Sequence, residues 1–388
     1  MRPRSTIVHV ITRLIGGGAD ENTLLTCNHQ AAAGYRVVLI IGRESDPGMR
    51  ARLHPKVDVA TVASLVRSVA PMRDVWALFR LALILRRIDP DVVHTHTSKA
   101  GILGRLAARA STRARVVHTV HILPFLSVGR VATWSYTSLE RLAARWTDLF
   151  IDVSAGMRDA SLRAGVGDTE NHVVIESGMD IARYQSATPP EDWRDLIDPG
   201  AVATRDQPRF VLVAGALEER KRVAELLAAF AQVSRQVPDA VLLVAGDGPE
   251  RETLAAAVTR LKLEGRVVLL GFREDLDRLI GLAEVCVHAA HREGLPRVVV
   301  QYAAAGRPVV ACALPGLEAV VESGRSGFLV PADDVAALAE PVSRLLRDHA
   351  LREAMGRVAG QRDYSGWSVE SMVSRIDRAY ARVCGEVS

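Results

Sequence analysis

The chain has 388 residues, of which 48% are hydrophobic and 24% are charged, and its formal net charge is +4. This length exceeds what one hydrophobic core usually organises, so we expect two domains, and the composition excludes a fibrous or disordered protein. Four widely spaced cysteines without a CxxC pair argue against a disulfide framework or a structural zinc site.

Membrane insertion and export are not expected from the sequence. The longest apolar runs, such as Leu78–Leu85, end at arginines well short of the roughly 20 residues that span a bilayer. The run Ile7–Ile11 is too short for a signal peptide. We therefore expect a cytoplasmic protein, with peripheral association with the inner face of the membrane as an option.

Positive charge is concentrated in the first half of the chain. Residues 1–185 contain 24 basic and 16 acidic residues, whereas the remainder contains 25 and 29. This asymmetry indicates an anionic partner for the first half, either a membrane surface or a phosphate-bearing acceptor, or else only the arginine-rich coding of a GC-rich genome. Nucleic acid is not expected, because the basic residues are scattered and aromatic residues make up only 5%.

Short apolar runs alternate with amphipathic stretches through the first half. The runs predict strands at Thr6–Thr12, Arg36–Ile41, Val92–His94, Arg115–Thr119, Leu149–Val153 and His172–Ile175. Apolar residues at helical spacing predict helices within Asn22–Ala33, Val75–Arg87, Gly101–Ala110 and Tyr136–Trp146. This alternation favours an α/β domain with a parallel sheet covered by helices on both faces.

The pattern restarts after a linker-like segment, Gln185–Pro208, which is rich in Pro, Asp and Thr. Further strands are predicted at Phe210–Ala214, Ala240–Ala245, Val267–Leu270, Val285–His288 and Val309–Ala313. We expect a first doubly wound domain at 1–184, joined by the C-terminal helix 367–388, and a second at 185–366. Each should bind ligand at the carboxyl ends of its strands, and a shared ligand would lie in a cleft between them.

Two strand ends in the first half carry glycine or histidine. Gly16, Gly17 and Gly18 follow the first strand and precede a helix, which suits close approach of a phosphate or sugar. The GxGxxG spacing of a dinucleotide site is absent, which argues against an NAD-dependent oxidoreductase. His94 and His96 end another strand, but no third ligand follows at metal-site spacing, so no metal is expected.

The strongest local signal is His291-Arg-Glu-Gly-Leu-Pro-Arg, which follows the strand Val285–His288. Pro296 stands where a helix would begin, a position that proline favours because its missing N–H has no partner there. The amides and positive dipole end of such a helix attract anions. Glu293 beside it would accept hydrogen bonds from sugar hydroxyls, although a surface glutamate in an ordinary turn is an alternative.

This segment resembles the donor-site motif of the family 4 retaining glycosyltransferases, which have the GT-B architecture of two facing Rossmann-like domains with a cleft between them. Further stretches resemble the same family, in its order. They begin at Gly16, His94, His118, Ser177, Gly246, Gly271 and Gly324. The resemblance covers nearly the whole chain and is closest to the branch that builds bacterial surface polysaccharides.

The resemblance implies roles for residues of the second domain. Glu293 would bind hydroxyls of the donor sugar, with Gly294, Leu295, Pro296 and Arg297 near the sugar and the diphosphate. The family's second glutamate, which holds the ribose, falls on Gln301. Phe272 and Arg273 would lie near the base.

One segment departs from the family pattern. After Gly215 the family has an arginine and a Lys-Gly pair, whose cations hold the diphosphate. Lys221 matches the lysine, but Ala216 takes the arginine position and Arg222 the final glycine. Arg220 or Arg222 is a candidate for the missing cation.

In the first domain, the resemblance implies that Gly17 and Gly18 contact the donor. His121 matches a histidine that faces the donor sugar, and His94, His96 and Lys99 would line the acceptor pocket. The segment Leu123–Trp146, with Phe125 and Trp134, is either a membrane-facing region or a helix that packs on the sheet.

The implied function is a hexosyltransferase that moves a sugar, with retention, from a nucleotide donor, best matched by a UDP-sugar, to a glycan or lipid-linked acceptor. No metal or other cofactor is required, because helix dipoles and cations hold the diphosphate. Two alternatives remain: a non-catalytic GT-B subunit that binds a glycan or a partner, and a nucleotide-sugar epimerase.

Overall fold

The computed structural model describes residues 5–123, 130–202 and 207–385. The chain forms two compact units. Unit 1 comprises Met1–Met179 and Gly366–Ser388, and unit 2 comprises Asp180–Ser365. The first crossing point therefore precedes the predicted residue 184, because the short helix α7 (Ile181–Gln185) packs against a helix of unit 2.

Unit 1 contains a seven-stranded, fully parallel sheet. Its strands are β1 (Thr6–Ile11), β2 (Arg36–Ile41), β3 (Val57–Thr61), β4 (Val92–His96), β5 (Arg115–Val120), β6 (Leu149–Asp152) and β7 (His172–Val174). Their spatial order is β3-β2-β1-β4-β5-β6-β7, so the order reverses beside β1, where β4 joins it. The strands are rich in buried Val, Ile and Leu because helices cover the sheet.

The helices of unit 1 pack on this sheet. They are α1 (Gly18–Ala32), α2 (Pro47–Ala51), α3 (Pro71–Ile88), α4 (Ser98–Ser111), α5 (Arg130–Ala144), α6 (Ala155–Arg163) and, at the end of the chain, α14 (Val369–Val383). Helices α3 and α4 pack closely together, and Ala77, Leu81 and Leu85 of α3 enter the same apolar cluster as Val8 and Val10 of β1.

Helix α5 accounts for much of the segment for which two interpretations were open. Its buried Glu140 forms an ion pair with the fully buried Arg105 of α4, at 2.5 Å between Oε2 and Nη2. This contact anchors α5 in the helical layer, while Trp134 is exposed. Phe125 lies outside the described residues.

Unit 2 repeats the architecture with a six-stranded parallel sheet in the order β10-β9-β8-β11-β12-β13. Its strands are β8 (Arg209–Ala214), β9 (Ala240–Ala245), β10 (Val267–Gly271), β11 (Val285–His288), β12 (Val309–Cys312) and β13 (Gly327–Val330). Its longer helices are α8 (Val223–Gln236), α9 (Arg251–Arg260), α10 (Leu276–Leu282), α11 (Arg297–Ala304), α12 (Ala339–Arg347) and α13 (His349–Gly360). The order reverses between β8 and β11, which is where ligands bind in doubly wound sheets.

In the described parts of the chain, no helix combines the length and the apolar character that crossing a bilayer requires.

Candidate functional site

In unit 2, the candidate site lies at the carboxyl ends of β8 and β11, where the strand order reverses. Gly215 follows β8, and His288 ends β11. Both residues line a small pocket with Ala216 and Lys221. The structure thus brings together four positions that are up to 73 residues apart in the sequence.

Glycine is required where the loops after β8 and β9 meet. Gly215 and Gly246 have φ values of 142° and 147°, a region that other residues rarely adopt. A Cβ atom on Gly246 would lie 1.9 Å from the carbonyl oxygen of Gly215. The two backbones can approach this closely only because position 246 is glycine, whereas a Cβ atom on Gly215 would lie 3.3 Å from Lys221 Nζ.

Glu293 is held by two neighbouring cations. Its Oε1 lies 2.6 Å from Lys221 Nζ and 2.5 Å from Arg220 Nη1. Burial opposes ionisation of the carboxyl, but Lys221 and Arg220 outweigh it and hold the pKa of Glu293 below its ordinary value. Glu293 is therefore a carboxylate at neutral pH, and the adjacent residues Arg220 and Lys221 hold it in position.

Helix α11 begins just after this carboxylate. Pro296 is its N-cap, with φ −72° and ψ 92°, and the helix starts at Arg297. The prediction that Pro296 is the first helical residue is therefore wrong by one position, because its ψ is extended rather than helical. Gln301 is buried on this helix. Gly294, Leu295 and Arg297 lie beside the helix N-terminus, whose dipole favours an anion.

Arg222 does not supply the missing cation. Its guanidinium donates to both oxygens of Glu225, at 2.8 and 2.5 Å, and to the carbonyl oxygens of Ala332 and Asp333. Arg220, by contrast, contacts Glu293, the same carboxylate that Lys221 binds. Of the two arginines considered, only Arg220 lies with the candidate site.

Arg273 is also occupied by neighbours. It donates to both carboxylate oxygens of Asp275, at 2.7 and 2.6 Å, and to the carbonyl oxygen of Leu196 at 2.8 Å. These contacts anchor the loop after β10. The predicted place of Arg273 near the base stays a prediction.

His288 was missed in the sequence analysis, although a polar residue at the end of a buried strand is a usable signal. It is 2% exposed, and burial followed by the charge of Lys221 lowers its pKa to about 3. Its Nε2 has no hydrogen-bond partner among the described residues. His288 is therefore neutral. Its Nε2, which has no partner among the described residues, lies in unit 2, as Glu293 does.

In unit 1, a chain of hydrogen bonds leads to His121. Gln30 Oε1 lies 2.8 Å from His9 Nε2, His9 Nδ1 lies 3.0 Å from His96 Nε2, and His96 Nδ1 lies 3.2 Å from His121 Nε2. With Gln30 Oε1 as the acceptor, every Nε2–H in the chain donates to the previous residue. This histidine chain therefore fixes both the orientation and the tautomer of His121.

The buried histidines of this chain are neutral. Burial, the largest cause, lowers the pKa of His9 to about 4 and holds that of His96 well below 6.5, with help from the neighbouring histidines. His94 is lowered well below its ordinary pKa for the same reasons. An uncharged imidazole can donate and accept at once, which is what a hydrogen-bonded chain of rings requires.

His94 and His96 do not line an open pocket. Both are 0% exposed. His94 bonds to Tyr380 Oη at 2.5 Å and to Thr119 Oγ1 at 2.7 Å. Strand β4 continues through His96 rather than ending at His94. Both rings are packed inside unit 1. The predicted direct contact with an acceptor is therefore not supported.

Lys99 also has internal partners. Its Nζ lies 2.7 Å from Asp74 Oδ1 of α3 and also donates to the carbonyl oxygen of Ser68. The lysine thus connects α4 to α3. Its predicted role in the acceptor pocket stays a prediction.

The sequence offers no third ligand at metal-site spacing beside His94 and His96, but β1 brings His9 next to them, in register with His94. Ring nitrogens of the three lie within 4.8 Å of one another. They are fully buried and already bonded to Gln30, Tyr380, Thr119 and one another. A divalent cation could bind here only by replacing these hydrogen bonds.

The glycine turn of unit 1 is organised by its own aspartate. Asp20 Oδ2 accepts from the backbone N–H of Ile15, Gly16 and Gly17, each at 3.0 Å. Gly17 is the N-cap of α1 and Gly18 is its first residue. An anionic ligand at this turn would compete with Asp20, so the roles predicted for Gly17 and Gly18 require that carboxylate to yield.

Two family descriptions match the two parts of the chain. Residues 16–183 match "Glycosyltransferase Family 4", and residues 197–362 match "Glycosyl transferases group 1". The two matches together span most of the chain.

Relatives with assigned activities match this chain over most of their own length. The UDP-Gal:alpha-D-GlcNAc-diphosphoundecaprenol alpha-1,3-galactosyltransferase of Escherichia coli is 28% identical over 345 residues, 88% of each chain. The N-acetyl-alpha-D-glucosaminyl L-malate synthase of Bacillus anthracis is 25% identical over 324 residues, 80% of this chain and 79% of that one.

Among solved structures, that of Anabaena Alr3699/HepE in complex with UDP and glucose superposes with a TM-score of 0.79, at 24% identity, covering 98% of this chain and 100% of that one. This likeness shows that the two proteins share their fold.

Proposed function

The chain belongs to the glycosyltransferases of family 4, with the GT-B fold, and acts in glycoconjugate or polysaccharide biosynthesis. On this premise, we propose that it transfers a hexose from a UDP-sugar to a glycan or lipid-linked acceptor, with retention of the anomeric configuration. The observation that carries the proposal is the arrangement of Lys221 and Arg220 around Glu293, immediately before the N-terminus of α11.

Each part of this arrangement suits one part of a nucleotide sugar. The two cations and the helix dipole attract a diphosphate, and the carboxylate accepts hydrogen bonds from sugar hydroxyls. In the unliganded protein, Glu293 neutralises one cationic charge, and a bound diphosphate would take over that partnership. Glu293 would then turn to the sugar.

The choice of donor and acceptor rests on relatives. The name of the E. coli relative gives UDP-galactose as donor and a diphosphoundecaprenol-linked acceptor, and the Anabaena structure contains UDP. The basic first half of this chain fits a phosphate-bearing acceptor.

In the proposed reaction, the acceptor hydroxyl attacks the anomeric carbon on the face that UDP leaves. The bond from that carbon to the phosphate oxygen breaks, the new glycosidic bond forms, and the hydroxyl proton passes to the departing phosphate. Lys221, Arg220 and the α11 dipole stabilise the charge that develops on the leaving group. Glu293 and His121 orient sugar hydroxyls.

The test is a transfer assay with UDP-, GDP- and ADP-sugars and a diphosphoundecaprenol-linked sugar as acceptor. We expect turnover with a UDP-sugar, and α-linked product by NMR. Binding without turnover of any donor would indicate the non-catalytic subunit, and a new sugar formed without acceptor would indicate an epimerase.

The variant Glu293→Gln keeps the shape of the side chain but removes its charge. We expect transfer to fall by about 100- to 1,000-fold, the usual effect of losing one group that stabilises a transition state. The matched control is Glu264→Ala, which removes an exposed glutamate of unit 2. Equal activity of Glu293→Gln and the control would contradict the assignment.

A further inference from the structure

Helix α3 has an apolar face that no described part of the chain covers. Val69, just before the helix, is 70% exposed, and Met72, Val75, Trp76 and Phe79 are 89%, 69%, 57% and 51% exposed. The Trp76 and Phe79 rings stack on each other, with centroids 5.7 Å apart. Contiguous apolar surface of this kind marks an interaction site more often than a scattered exposed residue does.

The exposure does not result from poor packing of the helix. The opposite face of α3 carries Ala77, Leu81 and Leu85, all fully buried against the sheet and α4. Asp74 fixes the helix further through its ion pair with Lys99. At 100° per residue, Met72, Phe79 and the half-buried Leu83 lie almost opposite the buried stripe.

Arginines run along one edge of this apolar face. Arg73, Arg80 and Arg87 recur every seven residues, so they form a row beside Met72, Trp76 and Leu83. All three are exposed and, within the described residues, form no ion pair. The acid of the first turn, Asp74, points to the buried side and is already paired. The outward face is thus apolar over its N-terminal turns, with the arginine row along one edge and the exposed Arg86 at its C-terminal end.

We propose that this face of α3 binds the anionic surface of a lipid bilayer, with the helix lying in the plane of the interface. Stacked aromatic and aliphatic side chains enter the headgroup region, and the arginine row binds lipid phosphates. This places the membrane contact on α3, and it goes beyond the proposed transfer reaction, with which it is consistent if the acceptor is lipid-linked.

The charge pattern favours lipid over a second copy of the chain. In a twofold dimer, the same face would meet itself, bringing two unpaired arginine rows into one interface. Like charges brought together out of water are unfavourable, whereas a surface of phosphates neutralises them.

The test is co-sedimentation of the full chain with vesicles of phosphatidylcholine alone or with 30% phosphatidylglycerol. We expect binding to the anionic vesicles that weakens in 0.5 M NaCl. Arg73→Ala/Arg80→Ala/Arg87→Ala should weaken partitioning on the order of 100-fold. The matched control, Arg235→Ala/Arg260→Ala/Arg357→Ala, removes three exposed arginines from unit 2 and should bind like the unchanged protein.

Two further variants test the apolar part. Trp76→Ser/Phe79→Ser should also lose binding, whereas Trp76→Phe should keep binding but lose the blue shift of tryptophan emission on anionic vesicles. UDP affinity is measured for every variant, so failure of the donor site is distinguished from failure of this surface. No binding of the unchanged chain, full binding of the triple arginine variant, or a dimer dissociated by Trp76→Ser/Phe79→Ser would each overturn the proposal.

Discussion

At the scale of single residues, Arg220 and Arg222 provide a direct comparison. Both are basic and two positions apart, but only Arg220 contacts Glu293, while Arg222 is bound to Glu225. If Arg220 replaces the cation missing at Ala216, Arg220→Asn should weaken UDP binding by about 10- to 100-fold, the usual worth of a charge-assisted hydrogen bond.

The control for this measurement is Arg222→Asn, since asparagine tolerates the left-handed backbone at that position, where φ is 53°. Its UDP affinity by isothermal titration should stay within about twofold of the unchanged protein. Similar losses for the two variants would mean that Arg220 has no special role at the diphosphate.

Gln301 allows a gain-of-affinity test. It is buried on α11 at the position where the family holds ribose with a glutamate. Gln301→Glu should tighten UDP binding by about 3- to 10-fold, because a carboxylate accepts a stronger hydrogen bond from a diol than an amide does. The gain should vanish with 2′,3′-dideoxy-UDP, and an equal gain with both nucleotides would contradict the ribose role.

Residues in contiguous motifs could be predicted, and residues brought in from separate strands could not. Glu293 and Lys221 belong to segments with family patterns, and the structure places them 2.6 Å apart. His9 stands 85 residues before His94, and only the pairing of β1 with β4 makes them neighbours. Nothing in the sequence gives the side-chain direction that separates Arg220 from Arg222.

At the scale of elements, the strands predicted with the right bounds are those whose residues are almost all buried. The strands β2, β9 and β11 have the predicted bounds, because continuous Val, Ile and Leu runs characterise the interior of a parallel sheet. Two edge strands were missed. β3 is half exposed and includes Asp58, and β13 is only four residues long.

The buried histidines of β1, β4 and β5 should make unit 1 less stable at acidic pH. Burial lowers the pKa of His9 to about 4 and those of His94, His96 and His118 well below 6.5. In the unfolded chain these histidines therefore bind protons near pH 6.5, whereas in the folded chain they stay unprotonated at that pH. The contribution of these neutral rings to the free energy of unfolding is complete above pH 6.5 and falls as the pH decreases toward their pKa values in the folded chain.

Urea unfolding from pH 7.5 to 4.5 measures this effect. Each histidine that is protonated only in the unfolded chain contributes up to about 1.4 kcal/mol per pH unit to the slope of the free energy of unfolding against pH. His9→Gln should reduce the slope by one proton, whereas His349→Gln, which changes an exposed histidine of unit 2, should leave it unchanged. A pH-independent free energy of unfolding across this range would contradict the buried neutral state.

At the scale of the whole molecule, the chain leaves unit 1 after Met179 and returns to it at Gly366. The returning helix α14 contributes Met372, Ile376 and Tyr380 to an apolar cluster with Ile7 and Val92. Tyr380 also holds His94. The first strand and the last helix of unit 1 thus share one core.

Met372→Ala tests this connection because it has a matched counterpart in the other unit. Met372 is fully buried, and its sulfur accepts from Gly178 N–H and Asn22 Nδ2 at 3.0 and 3.3 Å. Met355 of α13 is 3% exposed within the core of unit 2. Each change to alanine should cost about 2–5 kcal/mol in the unit that contains it.

Hydrogen exchange distinguishes the two units peptide by peptide. Met372→Ala should speed exchange in β1 and β4 and leave β8 and β9 protected, and Met355→Ala should do the reverse. UDP, which we propose binds unit 2, should restore protection in the Met355 variant more than in the Met372 variant, since a ligand stabilises the state that binds it. Faster exchange in β8 and β9 of the Met372 variant, at the rate seen in β1, would show that α14 stabilises both units rather than unit 1.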